Sequence, residues 1–167
     1  MSHYQVEVRT ADIDGAGTDA NVFVSLVGAN GYTGQFLLDN PNSNDMERGS
    51  TCRFVLRSVP DVIDLRALAV WLDNSGDYAA WHPHHITLKN LNTQETYDFP
   101  CDVWLEGETD PRHPEGGCTG VGLYVDKPPV GCVARSNKPS ESPWDAFWDF
   151  WEDFLKTVGA APVFLGV

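Results

Sequence analysis

Basic residues are scarce: 11 Lys and Arg face 24 Asp and Glu, a net charge of −13 over 167 residues. A field of that sign repels phosphate backbones, so no nucleic acid is expected as a partner, and it repels anionic headgroups unless a cation intervenes. No apolar run approaches the ~20 residues needed to span a bilayer as a helix. The chain enters Tyr4, Val6 and Val8 without a signal-peptide core, so a cytoplasmic protein, at most peripheral at membranes, is expected. Cysteine is sparse too. Cys52, Cys101, Cys118 and Cys132 include no CxxC pair, which excludes a disulfide scaffold and argues against structural zinc. Buried thiols are expected, and Cys118 with Cys132 could bridge only in an exported chain. No Walker loop, dinucleotide fingerprint or GxSxG elbow occurs.

Apolar residues, by contrast, are plentiful. They make up 42% of the chain and include 6 Trp, 5 Tyr and 8 Phe, which excludes wholesale disorder and suits one domain with one sizeable core. Through residue 105 they alternate: Tyr4, Val6, Val8; Val22, Val24, Leu26; Phe54, Leu56; Leu68, Val70, Leu72. Period two marks half-buried strands, and turn clusters such as Asp14-Gly15-Ala16-Gly17, Gly28-Ala29-Asn30-Gly31 and Asn40-Pro41-Asn42-Ser43-Asn44 separate them. Short strands with frequent turns predict an all-β antiparallel sandwich or barrel over 1–106. A Pro/Gly-rich connecting arm is expected over 107–142, with one further short strand near 120–125.

The period then changes. Ser142-Pro143-Trp144-Asp145 reads as a helix start, and Gly159 as its stop. At about 100° per residue, Trp144, Phe147, Trp148, Phe150, Trp151, Phe154, Leu155 and Val158 fall within an arc of roughly 160°, opposite Asp145, Asp149, Glu152 and Asp153. An amphipathic helix over 143–158 with an apolar tail over 159–167 follows. Its aromatic stripe must be covered by its own sandwich, a second copy or a partner.

Six ordered blocks between Tyr4 and Leu105 carry a family likeness. They are Gly15-Ala16-Gly17-Thr18-Asp19-Ala20-Asn21-Val22; Leu37-Leu38-Asp39-Asn40-Pro41; Asn44-Asp45-Met46-Glu47-Arg48-Gly49; Trp71-Leu72-Asp73-Asn74; Trp81 with Ile86-Thr87-Leu88; and Tyr97-Asp98-Phe99-Pro100-Cys101 with Trp104-Leu105. The stretch resembles the PLAT domain of polycystins, lipoxygenases and clostridial alpha-toxin, and looks most similar to the N-terminal domain of animal lipoxygenases. The resemblance implies an eight-stranded antiparallel β-sandwich that is not itself catalytic. It also implies docking to a membrane lipid surface or a protein partner, with Ca2+ held between loops at one end.

The loop residues suit that ion chemically. Calcium takes about 6–8 oxygen ligands in irregular geometry, and carboxylates crowded at 4 Å repel by about 4 kcal/mol per pair at an effective dielectric near 20. Asp12, Asp14 and Asp19 share the first loop, with Asp45 and Glu47 in the third. An EF-hand starting at Asp12 fails, because Ala16 and Phe23 stand where oxygen ligands are required. Carried over residue by residue, the resemblance nominates Gly17, Thr18 and Asp19, then Asn44, Asp45 and Glu47, with Asp73 and Asn74 as further candidates. Ala79 and Ala80 stand where lipoxygenase versions often carry acids. His82, His84 and His85 form the one histidine cluster; His82 and His84 would share a strand face, but zinc needs three or four ligands.

For membrane or partner contact the candidates are Ile13, Tyr32 and Tyr78 on loops, with Trp144, Phe147, Trp148, Trp151 and Phe154 on the helix. The leading expectation is a non-enzymatic, calcium-dependent lipid- or protein-binding module. The alternatives are an assembly subunit that oligomerises through its C-terminal helix, or a regulatory piece of a lipid-metabolising enzyme system.

Overall fold

The computed structural model describes residues 1–41, 44–73, 80–105, 118–125, 132–134, 151 and 153–166. Among them eleven strands form two sheets, and the residues lining the space between the sheets are those that alternate in the sequence. One sheet has the order β5-β1-β7-β8, built from β1 (Ser2–Thr10), β5 (Thr51–Val59), β7 (Pro83–Asn90) and β8 (Thr96–Pro100). All its pairings are antiparallel. The other runs β10-β9-β6-β2-β3-β11. It comprises β2 (Val22–Gly28), β3 (Gly31–Thr33), β6 (Leu65–Leu72), β9 (Cys118–Tyr124), β10 (Cys132–Ala134) and β11 (Phe164–Gly166), with β4 (Phe36–Leu37) beside β2.

Eight strands, β1 to β8, lie within residues 1–106, the number the resemblance implies, and three more join the larger sheet from beyond it. The segment around 120–125 is no appendage: β9 pairs antiparallel along β6, with Val70 opposite Val121 and Ala69 opposite Gly122. The register of β10 on β9 sets Cys132 opposite Val121 and Cys118 opposite Ala134, so the two cysteines are not cross-strand neighbours. The apolar tail joins the larger sheet as well, because β11 lies parallel to β3 and supplies the one parallel pairing among the described strands.

Two apolar clusters follow from two kinds of sequence pattern. Val6, Val8, Val22, Val24, Leu26, Phe54, Leu68, Val70, Trp81, Ile86, Leu88 and Phe99 are among those packed between the sheets. The indole of Trp81 is fully buried, and its Nε1–H donates to Thr10 Oγ1 at 3.0 Å. The second cluster lies on the outer face of the larger sheet, where Val27, Ala67, Ala69 and Trp71 meet Trp151, Phe154, Leu155 and Val158 of α1. That helix is described at 151 and over 153–158, and Gly159 ends it with a positive φ of 70°. The unbroken apolar run Ala67-Leu68-Ala69-Val70-Trp71-Leu72 explains the arrangement, since a strand covered on both faces is apolar at successive positions. Small residues on the outer face let the helix approach. Gly122 on β9 goes furthest, because a Cβ there would lie 2.2 Å from Cε2 of Phe154.

Trp151 and Phe154 are thus 4% and 2% exposed, and Tyr32 packs edge-on against Trp151 at 5.2 Å between ring centroids. These three were candidate contact residues. In the structure Trp151 and Phe154 are buried and Tyr32 is half-buried against them, because the outer sheet face supplies the cover the stripe requires. Trp144, Phe147, Trp148 and Tyr78 lie outside the described residues, as do the helix start and most of 107–142. No helix among the described residues is long and apolar enough to cross a membrane.

Candidate functional site

The first loop (residues 11–21) and the third (38–50) meet at one end of the sandwich because a buried side chain pins them. Met46 is the one apolar residue in the polar run Asn42–Ser50. It is 3% exposed, sits in the core and takes a left-handed φ of 62°, a conformation that a non-glycine residue holds only when its surroundings impose it. Its carbonyl accepts from Thr18 N–H at 3.1 Å. Gly17 lies so close to the third loop that a Cβ would come within 2.9 Å of Arg48 N and 3.1 Å of Met46 O. Gly49 N–H donates to Ala11 O at 3.1 Å and Thr10 N–H to Ser50 O at 3.0 Å. The two segments nominated from sequence are therefore knitted into one surface, on which Asp19, Asn44 and Glu47 are exposed and Asp45 is half-buried.

The acids on that surface are not equivalent. Arg48, the one basic residue of the two loops, places Nε 3.0 Å from Asp12 Oδ1 and a terminal nitrogen 3.6 Å from Asp14 Oδ1. Those two carboxylates are drawn toward a cation already present. Asp73 is committed as well. It accepts from Asn21 N–H at 3.0 Å and from Asn21 Nδ2–H at 2.8 Å, so both its oxygens clamp the start of β2 to the end of β6. Asp45 Oδ2 accepts from Asn40 N–H at 2.8 Å, and the Thr18 hydroxyl accepts from Ala20 N–H at 3.1 Å. Asn74 lies outside the described residues.

A calcium site can be tested against this donor set. The residues supply hard oxygen donors and no thiol or imidazole, which suits calcium. Among the described residues, however, no three His, Cys, Asp or Glu side chains gather closely enough to hold a metal ion. An ion here would be held by at most two carboxylates, with amide and carbonyl oxygens and water completing its shell. Few charged ligands place such a site toward the weak end of the range that calcium-binding proteins cover.

The histidine cluster separates in the fold. His82 is buried beneath the first loop: its N–H donates to Ala16 O at 3.0 Å, and its carbonyl accepts from Ala11 N–H at 3.0 Å. Its Nε2 is 2.8 Å from Asp102 Oδ1, and its ring meets Trp104 edge-on at 4.9 Å. His84 turns instead toward His85. The expected shared face for His82 and His84 is thereby lost. Ile13 stays exposed at the tip of the first loop, at 42%.

Sequence reasoning missed Met46 and Arg48 as the residues that shape this end. Each carried a signal: one apolar side chain in a polar loop, and one cation among six acids. A cleft of about 340 Å³ lies elsewhere, lined by Leu65, Arg66, Tyr124, Val125, Thr157 and Val158 where α1 ends against β6 and β9. Arg66 spans it, donating to Asp64 Oδ2 at 3.0 Å and reaching Val158 O at 3.4 Å.

Comparison with known proteins agrees with the fold. The family model described as PLAT/LH2 domain matches residues 4–115, which ends before β9. Lipoxygenase homology domain-containing protein 1 of Mus musculus is 42% identical over 103 residues, 61% of this chain and 5% of that protein. The polycystin family receptor for egg jelly of Mus musculus is 35% identical over 106 residues, 64% of this chain and 5% of that protein. The chain thus spans about a twentieth of the length of these relatives. Among solved structures, coral 8R-lipoxygenase, described as calcium-activated through a C2-like domain, superposes with a TM-score of 0.63 at 27% identity, over 74% of this chain and 17% of that one. An alpha-toxin from Clostridium absonum shares the fold alone, with a TM-score of 0.53 at 18% identity over 76% of this chain and 31% of that one.

Proposed function

The chain belongs to the PLAT/LH2 domain family, and from that premise we propose that it is a non-enzymatic, calcium-dependent module that docks on a lipid surface or a protein partner through its loop end. The observation that carries this reading is the joining of the first and third loops through Thr18 N–H and Met46 O, with Gly17 packed on the backbone of Arg48. It brings Asp19, Asn44, Asp45 and Glu47 onto one surface although they lie up to 28 residues apart in the chain, 47 − 19. The calcium activation described for coral 8R-lipoxygenase supports extending the reading to an ion.

Calcium would draw its side-chain oxygens from among Asp19, Asn44, Asp45 and Glu47, with no more than two of the three carboxylates bound at once, and the carbonyls of Gly17 and Thr18 would stand beside them. The ion would offset local negative charge and stiffen the two loops. Ile13 then stands at the tip as the apolar element that meets lipid or partner, and its single side chain makes insertion shallow. Asp12 and Asp14 hold Arg48 in place, and Asp73 serves the strands, so none of the three is assigned to the ion. An assembly role through the helix loses support, because the described part of the aromatic stripe is already covered by the sheet.

The test is calorimetric titration with calcium, followed by flotation with zwitterionic liposomes in its presence and absence. A dissociation constant of about 10⁻⁵ to 10⁻³ M is expected. Asp45→Ala combined with Glu47→Ala should abolish binding of the ion while leaving the thermal transition in place. Unchanged calcium affinity in that variant refutes the assignment.

A further inference from the structure

His84 and His85 are adjacent in β7, and adjacent residues of a regular strand point to opposite faces of the sheet. Their rings nevertheless meet: Nδ1 of His84 lies 3.0 Å from Nδ1 of His85, with the ring centroids 5.2 Å apart. The register explains how. On β1, Arg9 pairs with His85 and the next residue, Thr10, pairs with Pro83, so His84 is the extra residue of a bulge. Bulges re-aim side chains, and this one turns two imidazoles toward a common point on the exposed side of the smaller sheet. His84 is exposed, and the His85 side chain is 28% exposed.

The second ring nitrogen of His85 is placed as well. Nε2 lies 3.7 Å from Asp98 Oδ1, and that oxygen also accepts from the Thr87 hydroxyl at 3.3 Å. At 3.7 Å this is an electrostatic contact and not a hydrogen bond, but a carboxylate on that side favours the tautomer with the proton on Nε2 and a lone pair on Nδ1, the one that carboxylates select in metal-binding histidines. In that tautomer of His85 the short Nδ1–Nδ1 contact is a hydrogen bond donated by His84. When the His84 tautomer moves its proton to Nε2, both Nδ1 atoms become bare at no change in net charge, and a small rotation of each ring aims them at one ion.

We propose that His84 and His85 form a chelating pair for a divalent transition metal of square-planar or tetragonal preference, Cu(II) or Ni(II), with Asp98 orienting His85 and water completing the shell. Two imidazole nitrogens with water oxygens make an N,O donor set, which suits Cu(II) or Ni(II). The pair shares no residue with the proposed calcium site, and its chemistry is orthogonal, because imidazole is a poor ligand for calcium.

The test is titration of the full chain with Cu(II) alone, followed by electron paramagnetic resonance and by visible absorbance in a weakly coordinating buffer. It is done in a His3→Gln background, because an amino terminus with histidine at the third position chelates the same ions. One ion with two nitrogen ligands is expected. His84→Gln and His85→Gln, both at exposed or half-exposed positions that leave the fold intact, should each weaken binding at least about 10-fold. Asp45→Ala with Glu47→Ala should leave Cu(II) affinity unchanged. Full affinity in either histidine variant overturns the proposal.

Discussion

Gly122→Ala tests the seating of α1 on the sandwich, where the close approach of β9 to the helix leaves no room for a methyl group. In open space, replacing a strand glycine by alanine stabilises, by about 0.4–1 kcal/mol through the unfolded chain. Here the new Cβ would lie 2.2 Å from Cε2 and 2.8 Å from Cδ2 and Cζ of Phe154. That ring cannot slide freely, since it is 2% exposed and held between Trp151 at 5.5 Å and Tyr124 at 6.1 Å, measured between ring centroids. Overpacking of this kind costs about 1–3 kcal/mol. Relief by lifting the helix would forfeit part of the burial of Trp151, Phe154, Leu155 and Val158, each worth about 1.5–3 kcal/mol when complete. The clash exceeds the entropic gain, so a net loss of about 1–2 kcal/mol and a fall in Tm of about 2–8 °C are expected for a chain of this size.

Phe154→Ala alone should cost about 3–5 kcal/mol. The double variant should cost less than the sum of the two, because the alanine methyl then enters space that the ring has vacated. Urea unfolding followed by tryptophan fluorescence and by circular dichroism measures all three. A Gly122→Ala variant as stable as the parent, with additive effects in the double variant, would refute the packing argument.

Two further predictions concern residues whose roles the fold decides. Asp73→Ala should lower stability by about 1 kcal/mol, because its two charged hydrogen bonds to Asn21 are exposed. It should leave calcium affinity unchanged, and a fall in affinity by calorimetry would return Asp73 to the ion. Burial pushes the Cys101 thiol up from 9.0 to about 12. The unfolded chain therefore releases this proton near pH 9 while the folded chain keeps it, so stability is intact below pH 9 and falls as pH rises toward 12. The urea midpoint should drop more steeply between pH 8 and 10.5 in the parent than in Cys101→Ala, and equal slopes would contradict the assignment.

The alternation of Val6 with Val8 and of Val22 with Val24 and Leu26 already marked residues that line the space between the sheets, because period two is a property of one strand alone. The first and third loops were legible for a different reason: their residue blocks match a family, and the structure joins them. Met46 was not read as their anchor. An apolar side chain in a loop shows that something must be buried without showing where. Asp12, Asp14 and Asp73 look like ligands by type, yet Arg48 stands 36 residues from Asp12 and Asn21 stands 52 from Asp73, and only the fold brings those partners within hydrogen-bond distance.

The chain by itself determined that strands would stack around an apolar interior, that oxygen-rich loops would interrupt them, and that an aromatic stripe at helical spacing would need covering. These are demands of local chemistry, set by period, turn residues and the cost of wet aromatic surface. Tertiary structure alone decided how each demand was met: Ala67, Ala69 and Gly122 open the outer sheet face to Trp151 and Phe154, and a bulge at His84 turns two neighbouring imidazoles to one side. The physical reason is that burial tendency belongs to a residue and its near neighbours. Pairing depends on the register of strands far apart in sequence, where a one-residue slip exchanges the faces of a sheet.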